Sequence, residues 1–514
     1  PIILCFDYIS FLDGWLEMVS AFSTTGLNVT TVGTSNVSAF QLWLAMVSWI
    51  GGVFFQSYEQ DFTDTLSVPT NSAIVTSATS SAYRGVIAAQ AQARGISYAE
   101  AAAMDEVRQN AESLSGAVRN DFGDSGILRD FTQESSTQAL FGQVTWNLSD
   151  SWRLIVGGRY THESKQGDKE LHTVDSDTGE YQPINPALQA GDFNLSAANI
   201  YAGPKFRVDT VEGLNQTDRE TGRTSPGHTI SSTRSENAFT PLVIAQWDIS
   251  DDTSTYASWT KGFKAGGFDP RSNRASAFEF EEEKAEAFEL GLKTSTWEGR
   301  NEVNLALYRT EYEDLQVSQF DGAVGFNVGN AKETRVQGLE VDGRVAVSNH
   351  LVASYGVSLL DFEYVDFKNG NCYFGQAENG ADTNGDGINE CDYTGQSGVY
   401  TPDYTINLGF DYRRDLSRSL EFAAILDTQF VDGHQVHVNL DPEGEIDAYS
   451  LVGLRLQIGG EHWHAALLGK NLLDEEIITY SANAPLSEST FQTNTYYSFI
   501  NRPRTVALEA SFKF

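Results

Sequence analysis

The sequence predicts an all-β protein, an antiparallel transmembrane β-barrel of about 14 to 16 strands, with a short N-terminal helical segment. Three observations lead there. The last residues alternate strictly: Val506, Leu508, Ala510, Phe512 and Phe514 fall on one face, Ala507, Glu509, Ser511 and Lys513 on the other. Successive strand side chains point to opposite sides, so this segment is apolar on one face and largely polar on the other. About 9–11 tilted residues cross a bilayer. A closing strand of a soluble sandwich is the alternative for this segment alone. The second observation is composition: 30 Phe, 21 Tyr and 9 Trp accompany a mean hydropathy of only −0.31. A helical membrane protein needs far more apolar residues, whereas a barrel needs them on alternate positions and as aromatic girdles. The third is loop asymmetry, in which short polar turns alternate with long connections.

The strand pattern is read in order as follows. Trp49 to Phe62 is a first strand. Ser97 to Ser115 is a helix inside a long loop, opened by a capping box of Ser97 and Glu100. Hairpins then follow: Thr137–Asn147 with Trp152–His162, Asn237–Asp248 with Thr253–Thr260, Glu286–Ser295 with Asn301–Glu311. Arg335–Val347 pairs with Leu351–Tyr364, and Asp403–Arg413 with Leu420–Phe430. Ala448–Ile458, His462–Asn471 and Arg502–Phe514 complete the set. The long connections are Glu163–Glu236, Phe263–Glu283, Asp366–Thr401 and Leu472–Asn501. Soluble sandwiches seldom carry several loops this long.

The formal charge of −36, from 34 basic and 70 acidic residues, argues against nucleic acid or an anionic surface as a charge-bound partner. It suits acidic loops exposed to water and divalent ions. Of three cysteines, Cys372 and Cys391 bracket a short polar loop and suggest one disulfide in an oxidising compartment, with Cys5 left over. The chain begins at Pro1, so the reading expects a fragment of a longer frame.

Several residue groups invite a site reading. Asp382, Asn384, Asp386, the Ile388 carbonyl and Glu390 occupy positions 1, 3, 5, 7 and 9 of a calcium-type loop, with Gly387 at position 6. Tyr393 stands at position 12, where a bidentate Glu belongs, so the site is weak or is a solvated acidic turn. His462 and His464 share one strand face and His434 and His437 do not; a shared metal is weighed for the first pair against ordinary lumen-facing residues. Tyr256, Trp259, Phe263 and Phe268 surround Lys261 and Lys264, a mix that suits an anionic ferric chelate or an interface girdle. No nucleophile-elbow, Walker or zincin spacing occurs, so no enzyme and no cofactor is read.

The segments resemble the C-terminal barrel of TonB-dependent outer-membrane receptors. Trp49-Ile-Gly-Gly-Val-Phe-Phe55 is similar to an internal strand of that barrel. Leu140–Trp146 with Leu154–Thr161 resembles its "FGQ…GLRYT" hairpin, and Tyr256–Phe268 its "YxSxxxGYKxGGF" signature. Phe288–Lys293, Asn327–Ala331, Val336–Val341 and Gly469–Asp474 match further signatures in order. The resemblance covers residues 49 to 514. It implies an outer-membrane location in a Gram-negative bacterium, and contact with membrane lipid and lipopolysaccharide. It also implies a ferric siderophore or similar small-molecule substrate and the TonB energy-transducing complex as partner. Such receptors have an N-terminal plug, a TonB box and about 22 strands. Neither plug nor box is found here, so the barrel reads as truncated. A passive porin-like barrel is the alternative.

Residues 1–53 read differently. Asp13 to Asn28 resembles the pore helix and filter loop of Trk/Ktr-type potassium uptake proteins, and Phe40 to Gly52 the helix that follows. The resemblance implies backbone carbonyls of Thr24, Thr25, Gly26 and Leu27 as an ion filter. Such a filter needs four copies and the chain holds one; an apolar hairpin with a glycine turn is the plain alternative. Trp49-Ile-Gly-Gly52 suits both families, so the reading places a join there, with residues 1–53 potassium-protein-like and 54–514 barrel.

Overall fold

The computed structural model describes residues 47–68, 73–122, 125–175, 216–217, 224–225, 227–272, 277–320, 326–377, 379–380, 390–484 and 495–513. Its main body is one fourteen-stranded sheet in which every neighbouring pair is antiparallel. In chain order the strands are β1 (Val47–Val68), β2 (Ser125–Asn147), β3 (Trp152–Asp175), β4 (Gly227–Ser250), β5 (Thr253–Lys264) and β6 (Glu283–Thr296). Then come β7 (Asn301–Phe320), β8 (Phe326–Ala346), β9 (Leu351–Asp366), β10 (Tyr404–Ser417), β11 (Leu420–Val431), β12 (Tyr449–Gly459), β13 (Trp463–Lys470) and β14 (Thr505–Phe512). Spatial order follows chain order throughout, as in a meander wound into a wall.

The turns β2–β3, β4–β5, β6–β7, β8–β9, β10–β11 and β12–β13 all lie at one end and are short. The long connections lie at the other end. There the hairpin β7–β8 projects through its own length, 20 and 21 residues. β1 to β4 are 22 to 24 residues long, twice what a membrane crossing needs. Their upper halves therefore stand clear of the hydrocarbon, on the long-loop side.

Two sequence readings are corrected here. Val47–Gly52 is strand, not the end of a potassium-protein-like helix, and β1 passes residue 53 without a break. Its period is two: Trp49 and Phe55 are exposed on one face, while the Gly51–Gly52 pair disfavours helix. The residues Thr24, Thr25, Gly26 and Leu27 lie outside the described residues. The helix expected over Ser97–Ser115 is two helices. Between β1 and β2 stand α1 (Ala73–Arg94), α2 (Tyr98–Ala103) and α3 (Asp105–Phe122). Met104 takes an extended conformation (ψ 122) and separates the last two. The Ser97–Glu100 capping box is formed in both directions. Ile87, Ala91, Ala101, Val107 and Ala111 close a small core of their own. Among the described residues no helix is long and apolar enough to cross a membrane.

Within the wall, glycines make room for aromatic rings from the neighbouring strand. A Cβ on Gly291 would run into the Tyr256 ring, and one on Gly338 into Tyr308. Each ring occupies the space over its glycine, covering backbone that would otherwise face the lumen. Among the described residues β1 and β14 are the sheet's two edges, and all eight residues of β14 are exposed.

Candidate functional site

Cross-strand register assigns the faces, because directly opposed residues point the same way. Trp152 of β3 opposes Trp247 of β4, and the two rings stack at 5.3 Å. Val156 opposes Val243 and Tyr160 opposes Phe239 on the same face. This is the outer, lipid-facing side, which continues through Phe288, Leu307, Leu359, Phe410, Phe430, Leu467 and Leu508. From Trp152 to Tyr160 the strand rises about 26 Å at about 3.3 Å per residue. With a tilt of roughly 40° that becomes about 20 Å, close to the apolar band of about 25 Å between aromatic girdles.

The opposite face carries ion pairs. Arg153 meets Asp248, Arg344 meets Glu302 at 2.8 Å, and Arg413 meets Asp411 at 2.9 Å. On the last strands Glu509 accepts from Arg455 at 2.7 Å and from His464 at 2.9 Å. This commits His464 to a carboxylate. His462 lies in the β12–β13 turn and not on the strand, so the sequence pairing of these two histidines on one strand face is corrected. Among the described residues no group of three His, Cys, Asp or Glu could hold a metal.

At the level where the outer girdle ends, five strands converge on a pocket of about 520 Å³ on this inner face. Phe54 and Tyr58 come from β1, Ser135 and Thr137 from β2, Arg159 and Lys165 from β3 and Thr240 from β4, and the stretch 261–263 of β5 forms one edge. The convergence makes the inner face concave. Arg159 reaches back across β2 to lie over the Phe54 ring at 5.1 Å and donates to Thr161 at 3.0 Å. Lys165 is shared between Glu163 at 2.9 Å and the Gly266 carbonyl at 2.7 Å. The size falls in the range of small-molecule sites, about 300–1,000 Å³. Its character is basic and aromatic.

The aromatic and basic residues grouped by sequence are split by the fold. The stretch 261–263 edges the pocket, while the Lys261 side chain lies on the outer face with Trp259 and pairs with Glu286 at 3.0 Å. Trp259 opposes Phe288 on the outer face and donates to Glu286 at 2.7 Å. Tyr256 is on the inner face and donates to Glu289, while Phe268 is buried against Phe278 and Phe131. The pocket residues of β1 to β3 were missed, because alternate polar positions on separate strands give no local signal of convergence.

At the long-loop end the β9–β10 and β11–β12 connections are bonded to each other and to the tip of β7. Cys372 is joined to Cys391 with Cα atoms 5.1 Å apart. Around it Tyr364, Phe367, Tyr393, Ala331 and Leu440 form a small core. Of the calcium-type loop, Asp382, Asn384, Asp386 and Ile388 lie outside the described residues; Glu390 is buried. Asn439, 3% exposed, clasps the tip of β7: its Oδ1 accepts from Phe320 N and its Nδ2 donates to Phe320 O, both at 3.0 Å. Nearby His437 is fully buried, and its Nδ1 accepts from Asn439 N at 3.2 Å. His434 is separate and bonds the Asp432 carbonyl.

Burial holds the His437 imidazole below its ordinary value despite Asp441 nearby. A histidine lowered on folding contributes stability above its unfolded value, near 6.5, that is lost as pH falls below it. Acidification from pH 7.5 to 5 is therefore expected to raise hydrogen exchange, corrected for intrinsic rate, in residues 434–446. His437→Gln should flatten that response.

Comparison with known proteins gives the same architecture. A family model described as "TonB dependent receptor-like, beta-barrel" matches residues 10–472. That match takes in most of the segment read as potassium-protein-like, for which the comparisons give no support. Among solved structures, the ferric yersiniabactin uptake receptor FyuA from Yersinia pestis is similar at 15% identity with a TM-score of 0.51. The match covers 76% of this chain and 51% of that one. The siderophore receptor PiuA from Acinetobacter baumannii gives 16% identity, TM-score 0.48, and 75% and 44% coverage. The ferric-catecholate import receptor Fiu from K12 E. coli gives 14% identity, TM-score 0.47, and 76% and 51%. The chain thus spans about half the length of the solved receptors it matches. With the short turns at one end, the long loops at the other and a family match over most of its length, the chain belongs to the TonB-dependent receptor-like β-barrel family of the outer membrane.

Proposed function

We propose that this chain is the barrel part of an uptake receptor whose substrate is an anionic, aryl-bearing chelate such as a ferric siderophore. The pocket carries the reading. Arg159 and, beside it, Lys165 offer positive charge next to the rings of Phe54 and Tyr58, on the inner wall where a ligand arriving from the long-loop side first meets the barrel. An anion there gains charge-assisted hydrogen bonds and its rings gain stacking. In this reading a TonB-type complex supplies energy. The partners around the barrel are membrane lipid below the upper girdle and lipopolysaccharide above it. Just above Phe288 the outer face turns charged, with Lys261–Glu286 and Arg309–Glu311 pairs at the height of the head groups.

Arg159→Ala with Lys165→Ala is expected to weaken binding of an anionic ferric chelate by about 100-fold, from two lost charge-assisted contacts of about 1.5 kcal/mol or more each. Isothermal titration on the purified protein, across chelates of different charge, measures this. Equal affinity of wild type and double variant for every anionic chelate bound would remove the pocket from the proposal. A passive channel is the second reading, favoured by the ion-paired inner wall; planar-bilayer conductance without any energy source would support it.

A further inference from the structure

The connection between β5 and β6 lies against the wall. Its described residues, 265–272 and 277–282, run along the inner face of β3 just above the pocket and meet that strand at every second residue. Gly266 donates its N–H to Glu236 at 3.0 Å and its carbonyl accepts from Lys165 at 2.7 Å. Phe268 sits over Gly167, where a Cβ would fall 2.5 Å from the ring. Lys169, 2% exposed, donates to the Asp269 carbonyl at 3.4 Å and to the Ser272 carbonyl, and lies 5.5 Å from the centre of the Phe278 ring. Residues 165, 167 and 169 share one face because strand side chains repeat every two residues.

The seat is built largely from residues outside the pocket. Phe268 stacks on Phe278 at 5.1 Å, and Phe278 meets Phe131 edge-on at 6.2 Å. Arg234 of β4, directly opposed to Lys165, pairs with Glu236 at 2.9 Å, Glu279 at 2.7 Å and Glu281 at 2.6 Å. From the other side Gln316 Nε2 donates to the Ala265 carbonyl at 3.0 Å, and the Asp269 carboxylate accepts from Val328 N at 3.0 Å. A Cβ on Gly266 would come within 2.5 Å of the Phe280 carbonyl and 2.8 Å of the Arg234 and Glu236 side chains, a fit that only glycine allows.

The segment reaches the pocket at two points. Ala265 lines it, and so does Lys165, whose side chain is 15% exposed. An ammonium has three N–H donors. Glu163 takes one at 2.9 Å and the Gly266 carbonyl a second, which leaves the third for an acceptor in the pocket. We propose that the seated 265–282 segment positions Lys165 for an anion, so that seating and anion capture reinforce each other. Seated, the ammonium is held between two acceptors and has little side-chain entropy left to lose when a ligand arrives. Unseated, it keeps only Glu163, and the Ala265 edge of the pocket is gone. Linkage makes the effect mutual: an anion that binds better to the seated form tightens the segment by the same factor. The ligand step rests on the proposed function, while the positioning of Lys165 does not.

Gly266→Ala and Phe268→Ala test this, since both are charge-neutral and lie outside the pocket lining and the fourteen-stranded sheet. In the purified full chain, hydrogen exchange of amides 265–272 and 277–282 is expected to rise about tenfold or more in each variant. Acylation of Lys165 by an amine-reactive reagent, read by mass spectrometry against the exposed Lys368, should speed up by a similar factor. The probe for capture is iron(III) tris-catecholate: its Kd should rise about tenfold in both variants, and saturating probe should slow exchange of the wild-type segment by about as much. Should one variant fail to fold, the other carries every readout. Unchanged exchange in the variants, or faster exchange without faster acylation of Lys165, overturns the positioning. Unaltered probe affinity in variants that show both changes overturns the link to capture. If wild type binds no probe while exchange and acylation rise together, the substrate reading falls and the positioning of Lys165 stands.

Discussion

Replacing Asn439 by alanine is expected to release the long-loop layer from the β7–β8 hairpin, at a cost of about 2–4 kcal/mol locally. Its side chain satisfies both backbone groups of Phe320. Phe320 O keeps a second donor, Asn371 Nδ2 at 3.0 Å, but Phe320 N loses its acceptor inside a buried environment. A buried N–H left unmade costs more than the bond contributed when formed. Tyr393 adds to the effect. Its one hydroxyl proton is shared among Asn371 O, Gln376 Oε1 and Asn439 O at 2.8, 3.0 and 3.0 Å, so displacement of the Asn439 backbone disturbs that cluster as well. The measurement is exchange of amides 367–377 and 434–446 together with the β7 tip. All should rise in Asn439→Ala, whereas β9–β11 inside the membrane should not. A rise confined to 434–446 would mean that the layer is not coupled through this clasp.

Cys372→Ser is expected to cost the 367–403 connection about 3 kcal/mol, given a sequence separation of 19 between the paired cysteines. The bond closes a loop whose small core is too thin to stand alone, and Cys391 is itself fully buried in it. Limited proteolysis reads the outcome. In wild type the loop should be cut only after reduction, and in Cys372→Ser it should be cut without reduction. Barrel strands should resist in both, since their ladders do not pass through the disulfide. Equal resistance of the loop with and without the bond would show that Tyr364, Phe367 and Tyr393 suffice to hold it.

The sequence reading placed strand ends at the short turns within a few residues, several of them on the residue the structure shows, and cut short the strands that run on toward the long loops. Asn147, Trp152, Thr253, Asn301, Leu351 and Leu420 are ends or starts in both reading and structure. Those boundaries follow dyad patterning, which lipid enforces until a polar turn interrupts it. At the other end β2 begins at Ser125 and not Thr137, and β3 runs to Asp175 and not His162. Past the upper girdle both faces of these strands meet water or loops, so alternation fades while the backbone ladder continues. The Ser97–Glu100 cap was legible because its partners are three residues apart; the break at Met104 and the whole of α1 were not.

What the chain decides by itself is therefore its membrane-facing part: a period of two with apolar residues on one side, written locally because every strand meets the same solvent. The pocket, the Asn439 clasp and the enclosure of Lys169 were decided only in three dimensions. Lys169 meets Asp269 from 100 residues away, and Asn439 meets Phe320 from 119. Such contacts depend on which extensions stand next to which connections, and the energy of a buried polar group depends on enclosure that no short stretch of residues contains.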